Sequence, residues 1–289
     1  MDFYDFVYVI LHFLTVEDTI NAVDSLRKIK HVGKYKIVIV DNGSANGSKD
    51  KLYDQYASSY DIELVVSESN LGFANGNNLG VKYAREHFKF NYIITMNNDI
   101  ICSQSSMESK IVDEYLNSSF DLLGPMILTA DGRYDNSPIK KLPINRTDII
   151  NTYNREKKLL LIENLYLSRI YRALIRLRRA KKQCSKEVIH RVENVVLHGC
   201  FIIFSMNYFN KFEDAFDSRT FLYHEEELLG LRIQKKNLVS VYNPDIHIFH
   251  KEDSASNASI NGNHNRRLYK LKHCIKSSEI IISDFNRLS

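Results

Sequence analysis

KIVIVDNGSANGS, residues 36–48, is a short apolar, β-branched run that stops abruptly in a cluster of turn formers. Five such residues are too few for a stable helix and suit a strand buried on both faces. The turn cluster then marks the strand's carboxyl end. Upstream, residues 6–13 form a second apolar run. Residues 16–29 place Ile20, Val23, Leu26 and Ile29 at helical spacing. Downstream, 49–60 reads as helix, 62–66 as strand, 74–87 as a helix entered through a Gly/Asn-rich loop, and 92–96 as a strand ending in Asn-Asn-Asp. This alternation predicts an α/β fold, a mostly parallel sheet flanked by helices. Ligands of such sheets sit beyond the strands' carboxyl ends. Three polar clusters fall there, at 41–48, 70–78 and 97–99.

The second half is less regular. Residues 142–186 read as helical and basic, 195–204 as a strand pair or bent strand, and 225–236 as a helix. Residues 239–242 and 245–250 read as strands at a sheet edge, and 266–282 as a helix. The chain of 289 residues is 44% apolar and 26% charged, an ordinary globular composition. Its four cysteines form no CxxC pair, which argues against a zinc ribbon or disulfide framework and for a reducing compartment. No apolar run reaches the ~18 residues of a membrane span, and MDFYDF lacks the basic start of a secretory signal. A cytoplasmic location is expected. Net charge is +4, but residues 155–186 carry eleven Lys/Arg against two acids, a net +9 that leaves −5 for the remainder.

Each candidate site has two readings. Asp41 is either part of a simple turn or a carboxylate accepting from a nucleobase N–H or ribose hydroxyl. NLGFANGNNLG, residues 70–80, allows close backbone approach and offers helix N–H groups to a phosphate. It is neither GxGxxG nor a P-loop. Asp99 either caps a loop or holds a divalent cation. His250, with His247 on the opposite face and Ser254 following, is a structural residue or a ligand. In FLYHEEELLGLR, residues 221–232, the three glutamates either complement the helix dipole or include a base. Arg169, Arg172, Arg176 and Arg179 share one helical face, which reads as a solvated surface or as a contact for anionic membrane. No nucleic-acid-reading motif accompanies them.

VDNGSANGS, NLGFANGNNLG, the Asn-Asn-Asp after an apolar strand, FDSRTFLYHEEELLGLR, and His250 with Ser254 together resemble family 2 glycosyltransferases. The nearest subgroup is the rhamnosyltransferase-like enzymes of bacterial surface polysaccharides, and the likeness runs from residue 7 to 254. It implies a GT-A fold, a nucleotide-sugar donor, a divalent metal (Mn²⁺ or Mg²⁺) and inversion at the anomeric carbon. FDSRTFLYHEEE aligns with the family's FDExFFMYxED, which makes Glu226 the general base, Glu225 its neighbour, and leaves Glu227 outside the pair. Asp41, Asn70, Gly72, Asn75, Asn77, Asn97, Asn98 and Asp99 are then expected on the nucleotide sugar. Asp99 and His250 are expected on the metal, and Gly199 and Tyr223 on the acceptor side, although Gly199 also reads as a strand bulge. The family's Asp-x-Asp appears as Asn97-Asn98-Asp99, and Leu228 stands where the subgroup often has a further Asp.

The organisation implied is a nucleotide-sugar-binding half (1–135), a basic helical insertion (136–190), an acceptor and catalytic half (191–260) and a C-terminal helix (261–289). The acceptor would be a glycan or lipid-linked oligosaccharide, which gives the basic arm a reason to meet the inner face of the cell membrane. Two competing functions share parts of this pattern. A sugar-nucleotide nucleotidyltransferase would need an early Gly-rich, basic loop, where this chain has LHFLTVEDT at 11–19. A non-catalytic scaffold binding membrane or polyanion would explain the missing first metal carboxylate, but not the acidic block.

Overall fold

The computed structural model describes residues 1–129, 137–168, 171, 173, 188–251 and 262–286. The first half alternates as expected: β1 (Asp2–His12), α1 (Val16–Lys28), β2 (Tyr35–Asp41), α2 (Ser48–Tyr56), β3 (Ile62–Val66), α3 (Gly72–His87) and β4 (Phe88–Asn97). A short β5 (Ile100–Ile101), α4 (Met107–Ser118) and β6 (Leu122–Thr129) follow. Then come β7 (Lys140–Lys141), α5 (Arg146–Asn164), β8 (Val192–Glu193), β9 (Val195–Val196), β10 (Phe201–Ser205), the one-turn α6 (Met206–Phe209), α7 (Glu225–Lys236), β11 (Ser240–His250) and α8 (Asn263–Asn286).

The main sheet runs β3-β2-β1-β4-β10-β6-β11-β5, with β8 also on β11. Pairings among β3, β2, β1 and β4 are parallel, as is β6 with β11, whereas β10 runs antiparallel to both β4 and β6. The expected halves at 1–135 and 191–260 therefore contribute strands to one sheet. Both faces are covered, because successive side chains of a strand point to opposite sides. Phe6, Tyr8 and Ile10 pack with Leu26, Leu52 and Ile111 of α1, α2 and α4. Val7 and Val9 pack with Ala74, Val81 and Ala84 of α3 on the other side.

Residues 239–250 depart from the expected pair of edge strands. From Ser240 to His250 they form one strand, β11, lying between β6 and the short β5 and β8. Its register with β6 shifts between Asn243 and His247. Pro244, which has no N–H to donate, sits within the shift, and a bulge is where a strand accommodates it. Helices α5 and α8 pair antiparallel, with Tyr153 Oη donating to Glu279 Oε1 (3.1 Å) at one end and Arg267 Nη2 to Glu163 Oε1 (2.8 Å) at the other. The basic face of Arg169, Arg172, Arg176 and Arg179 lies outside the described residues, as do Cys184 and Ser254. No helix among the described residues is long and apolar enough to cross a membrane.

The end of β1 carries a polar core group. His12 is fully buried, with Nδ1 2.7 Å from Thr19 Oγ1 and Nε2 2.8 Å from Ser48 Oγ. Burial pushes its pKa from 6.5 down to about 4, against the opposing pull of the Asp41 charge. Between those pH values the unfolded chain binds more protons than the folded one. Stability present above the unfolded pKa is therefore lost as pH falls, by about 3 kcal/mol in all. Urea unfolding at pH 7, 5.5 and 4 is expected to show this loss, and His12→Gln to flatten it. An identical pH slope in the variant would contradict the assignment.

Candidate active site

The four parallel strands end at one edge: His12 of β1 is opposite Asp41 of β2, Asp41 is opposite Val66 of β3, and Leu11 of β1 is opposite Asn97 of β4. The polar clusters that follow them therefore converge at one sheet edge. Asp41 is buried, and its Oδ1 accepts from the Ser44 N–H at 3.3 Å. Asn42, which sequence reading passed over, ties two clusters together. Its Nδ2 donates to the Gly72 carbonyl (3.0 Å) and its Oδ1 accepts from the Leu71 N–H (2.9 Å).

The Gly/Asn run is not a loop before a helix, because α3 begins at Gly72. Asn70 Oδ1 accepts from the Gly72 N–H at 2.8 Å and so supplies the turn that starts it. Gly72 is in the left-handed region (φ 80°), and a Cβ there would stand 2.1 Å from the Phe221 carbonyl oxygen. The next N–H, of Phe73, donates to that same oxygen at 2.7 Å. Asn75 Nδ2 donates to the Ser218 carbonyl (3.0 Å), Asn77 Nδ2 to Phe73 (3.0 Å), and Asn78 exchanges two hydrogen bonds with the Phe216 backbone. Asn75 and Asn78 of α3 thus hold the 216–221 segment, which leads directly to the acidic block.

That segment enters α7 through two successive left-handed residues, Tyr223 (φ 69°) and His224 (φ 65°). Each costs on the order of 1–2 kcal/mol for a residue with a Cβ, so the turn must be pinned. Ser277 Oγ of α8 donates to the Leu222 carbonyl (3.2 Å), and the His224 ring lies between Glu156 (2.9 Å) and Glu227 (3.3 Å). Burial works against a charged His224, but hydrogen bonds with Cys274, Glu156 and Glu227 outweigh it and raise its pKa to about 12. Burial likewise works against a charged Glu227; hydrogen bonding to His224 and the charges of His224 and Lys140 prevail and hold it at about 2. Glu227 is a structural anion.

The other two glutamates face differently. Glu225 is buried and, mainly through burial and then through the Glu226 charge, its pKa rises to about 8. Its Oε1 accepts no hydrogen bond among the described residues. Glu226 is half-buried, and its Oε1 accepts from the Gly199 N–H at 3.2 Å. A Cβ on residue 199 would stand 2.8 Å from that oxygen, so only glycine lets the carboxylate lie against this backbone. The same short turn is bonded to β4, since the Asn97 N–H donates to the Cys200 carbonyl at 2.9 Å. Lys270 of α8 stands over the Tyr223 ring, 5.1 Å from its centroid.

Asp99 and His250 meet because β5 pairs with the end of β11, placing Ile100 opposite His250. His250 Nε2 lies 3.2 Å from Asp99 Oδ1, and both residues are buried. Asp99 Oδ1 accepts no hydrogen bond among the described residues. A buried carboxylate oxygen in this state, beside an imidazole, suits a divalent cation whose remaining ligands are phosphate and water oxygens. Asn98 is turned the other way: its Nδ2 donates to Thr15 Oγ1 (2.9 Å) and Thr19 Oγ1 (3.0 Å), fastening the β4 tip to the start of α1.

Residues 16–155 match the glycosyl transferase family 2 model. That stretch begins at α1 and ends in α5. It includes Asp41, the asparagines of α3 and Asp99, and stops short of Gly199, Glu225, Glu226 and His250. A low-salt glycan biosynthesis hexosyltransferase, Agl10 of Haloferax volcanii, is 23% identical over 128 residues, 44% of this chain and 38% of that protein. The chain thus matches well under half the length of this curated relative. Among solved structures, S. aureus TarS (residues 1–349) in complex with UDP superposes with a TM-score of 0.55 at 12% identity, covering 94% of this chain and 64% of that one. TarS 1–349 without the nucleotide gives 0.53 at 8% identity, covering 98% and 73%. The fold is of the GT-A type, and the likeness to TarS covers more of this chain than the family 2 segment does.

Proposed function

We propose that the chain is an inverting glycosyltransferase that moves a hexose or related sugar from a nucleotide-sugar donor onto a glycan or lipid-linked oligosaccharide. The observation that carries this reading is Glu226: a half-buried carboxylate set against the Gly199 N–H at the edge where the three family 2 loops converge. The hexosyltransferase relative and the UDP held by TarS support a hexose and a uridine nucleotide. The resemblance of the whole motif set to enzymes of bacterial surface polysaccharides supports an acceptor of that kind.

The chemistry needs one base and no nucleophile. Glu226 takes the proton of the acceptor hydroxyl while its oxygen bonds to the anomeric carbon from the face opposite the leaving group. The bond between that carbon and the diphosphate oxygen breaks, and the electron pair leaves with the nucleoside diphosphate. The Gly199 N–H fixes one carboxylate oxygen of Glu226, leaving the other for the proton. In this reading Asp41 accepts from the nucleoside and Tyr223 flanks the acceptor. Asp99 and His250 would hold the Mn²⁺ or Mg²⁺ ion, which when bound offsets charge on the diphosphate. The basic segment at 155–186 would bring the enzyme to an anionic membrane carrying a lipid-linked acceptor.

Thermal unfolding against UDP, dTDP, GDP and CDP, with and without Mn²⁺ or Mg²⁺, tests the donor side. A nucleotide at 100 times its Kd adds about 2.7 kcal/mol, and one nucleotide is expected to raise Tm in a metal-dependent way. Asp99→Asn is expected to abolish the metal dependence. No shift with any nucleotide would favour a non-catalytic scaffold.

A further inference from the structure

Behind the base-bearing helix lies a second cluster that the transfer chemistry does not use. One ligand atom each of Glu156, His224 and Cys274 lies within 4.8 Å of the other two. The three come from α5, from the turn before α7, and from α8, so the fold assembles them from separate parts of the chain. Glu156 and Cys274 are buried, and the His224 side chain is only 15% exposed. His224 Nε2 faces Glu156 Oε1 at 2.9 Å.

The surroundings are arranged as they are around metal-bound histidines. The far ring nitrogen, Nδ1, lies 3.3 Å from Glu227 Oε2, a carboxylate that orients the ring. Ser278 Oγ donates to Glu156 Oε2 at 3.1 Å, which turns the other oxygen, Oε1, toward the ring. A thiol, an imidazole and a carboxylate together suit a borderline-soft ion, and Zn²⁺ is bound by these three ligand types. Mg²⁺ or Ca²⁺, which prefer all-oxygen sites, are poorly served. Tetrahedral bonds of about 2.0–2.3 Å put ligand atoms roughly 3–4 Å apart, so the cluster needs little rearrangement.

We propose that Glu156, His224 and Cys274 supply three ligands of a Zn²⁺ site whose fourth position is left to water, with Glu227 as the carboxylate behind the histidine, and that this site fastens α5 and α8 to the strained turn ahead of Glu226. To bind the ion, the His224 ring nitrogen that faces Glu156 and the Cys274 sulfur must both be free of protons. The site is separate from Asp99 and His250 in residues and in metal preference.

Zinc content of the purified, tag-free protein, together with the visible spectrum after replacement by Co²⁺, tests this. The expected result is about one zinc per chain and a thiolate-to-cobalt charge-transfer band. Both are lost in Cys274→Ser and Glu156→Gln and kept in Asp99→Asn. Removing zinc from the wild-type protein with a chelator is expected to lower Tm, and returning it to restore Tm. Because the wild type itself is read, misfolding of a variant does not obscure the outcome. Substoichiometric zinc with no cobalt band and no chelator effect on Tm would overturn the proposal, leaving a hydrogen-bonded charge cluster. A band that persists in Cys274→Ser would do the same.

Discussion

Glu226→Gln is expected to lower turnover by about 10²- to 10⁴-fold, the contribution of a positioned general base, while nucleotide binding and Tm stay near wild type. The amide is close to isosteric, and its oxygen still accepts from the Gly199 N–H at the position Glu226 Oε1 occupies. What the substitution removes is the proton acceptor. A loss smaller than tenfold, measured as release of nucleoside diphosphate under saturating donor, would mean that another group takes the proton. Glu225→Gln separates the two members of the pair. Glu225 is buried, with its pKa raised to about 8 by burial and the neighbouring charge, so its amide is expected to be the milder change.

Gly199→Ala carries the second large effect, and it does so without touching a chemical group. Gly199 is not in the left-handed region, so alanine is conformationally acceptable there. Its Cβ, however, would stand 2.8 Å from Glu226 Oε1 and 3.4 Å from the Phe73 ring. The Glu226 carboxylate is the flexible partner and has to move, losing the Gly199 N–H contact. A displacement of about 1 Å at a reacting group costs roughly 10²-fold in rate. The expected outcome is a turnover loss of that order with an unfolding transition close to wild type. Full activity in Gly199→Ala would show that the close approach of Gly199 and Glu226 does not matter to the reaction.

Together the two variants test one relation from both sides, a base and the backbone that aims it. They also bear on how much of the protein is legible in its sequence. Strand 62–66 and helix 225–236 stand at the residues that apolar spacing and the acidic first turn mark out. β4 starts at Phe88, before the apolar run at 92–96, because Phe88 and Phe90 alternate with exposed Lys89 and Asn91 in the pattern of a half-covered strand end. α3 starts two residues early because Asn70 supplies a turn through its side chain, which propensity does not register. The two-residue strands β5, β7, β8 and β9 have no periodicity to read. They exist only because a partner strand is already in place.

The site divides in the same way. Asp41, Asp99, Glu225 and Glu226 announce themselves as charges at strand or helix ends. Asn75, Asn77 and Asn98 look like ligand-contacting residues in sequence, yet their amides bond to backbone or threonine groups of this chain. Asn42 was hidden in plain sight within Asp-Asn-Gly, where the turn explained it too readily. Glu156, His224 and Cys274 could not be associated from spacing, since two helices and the turn before a third must dock before they meet. Local pattern finds residues that act alone. Residues that act by joining distant elements appear only once the packing is known.

The central claim, a single-step transfer with Glu226 as base, is tested most directly by following the reaction by proton NMR. The wild-type protein would be given UDP-hexoses, dTDP-rhamnose and GDP-mannose with a glycan acceptor mixture and Mn²⁺ or Mg²⁺. The predicted result is consumption of one donor, appearance of its nucleoside diphosphate, and a new glycosidic linkage of anomeric configuration opposite to the donor's, with Glu226→Gln forming almost none. A product that retains the donor's configuration would contradict the mechanism, and no donor consumed in any combination would contradict the assignment of a transferase.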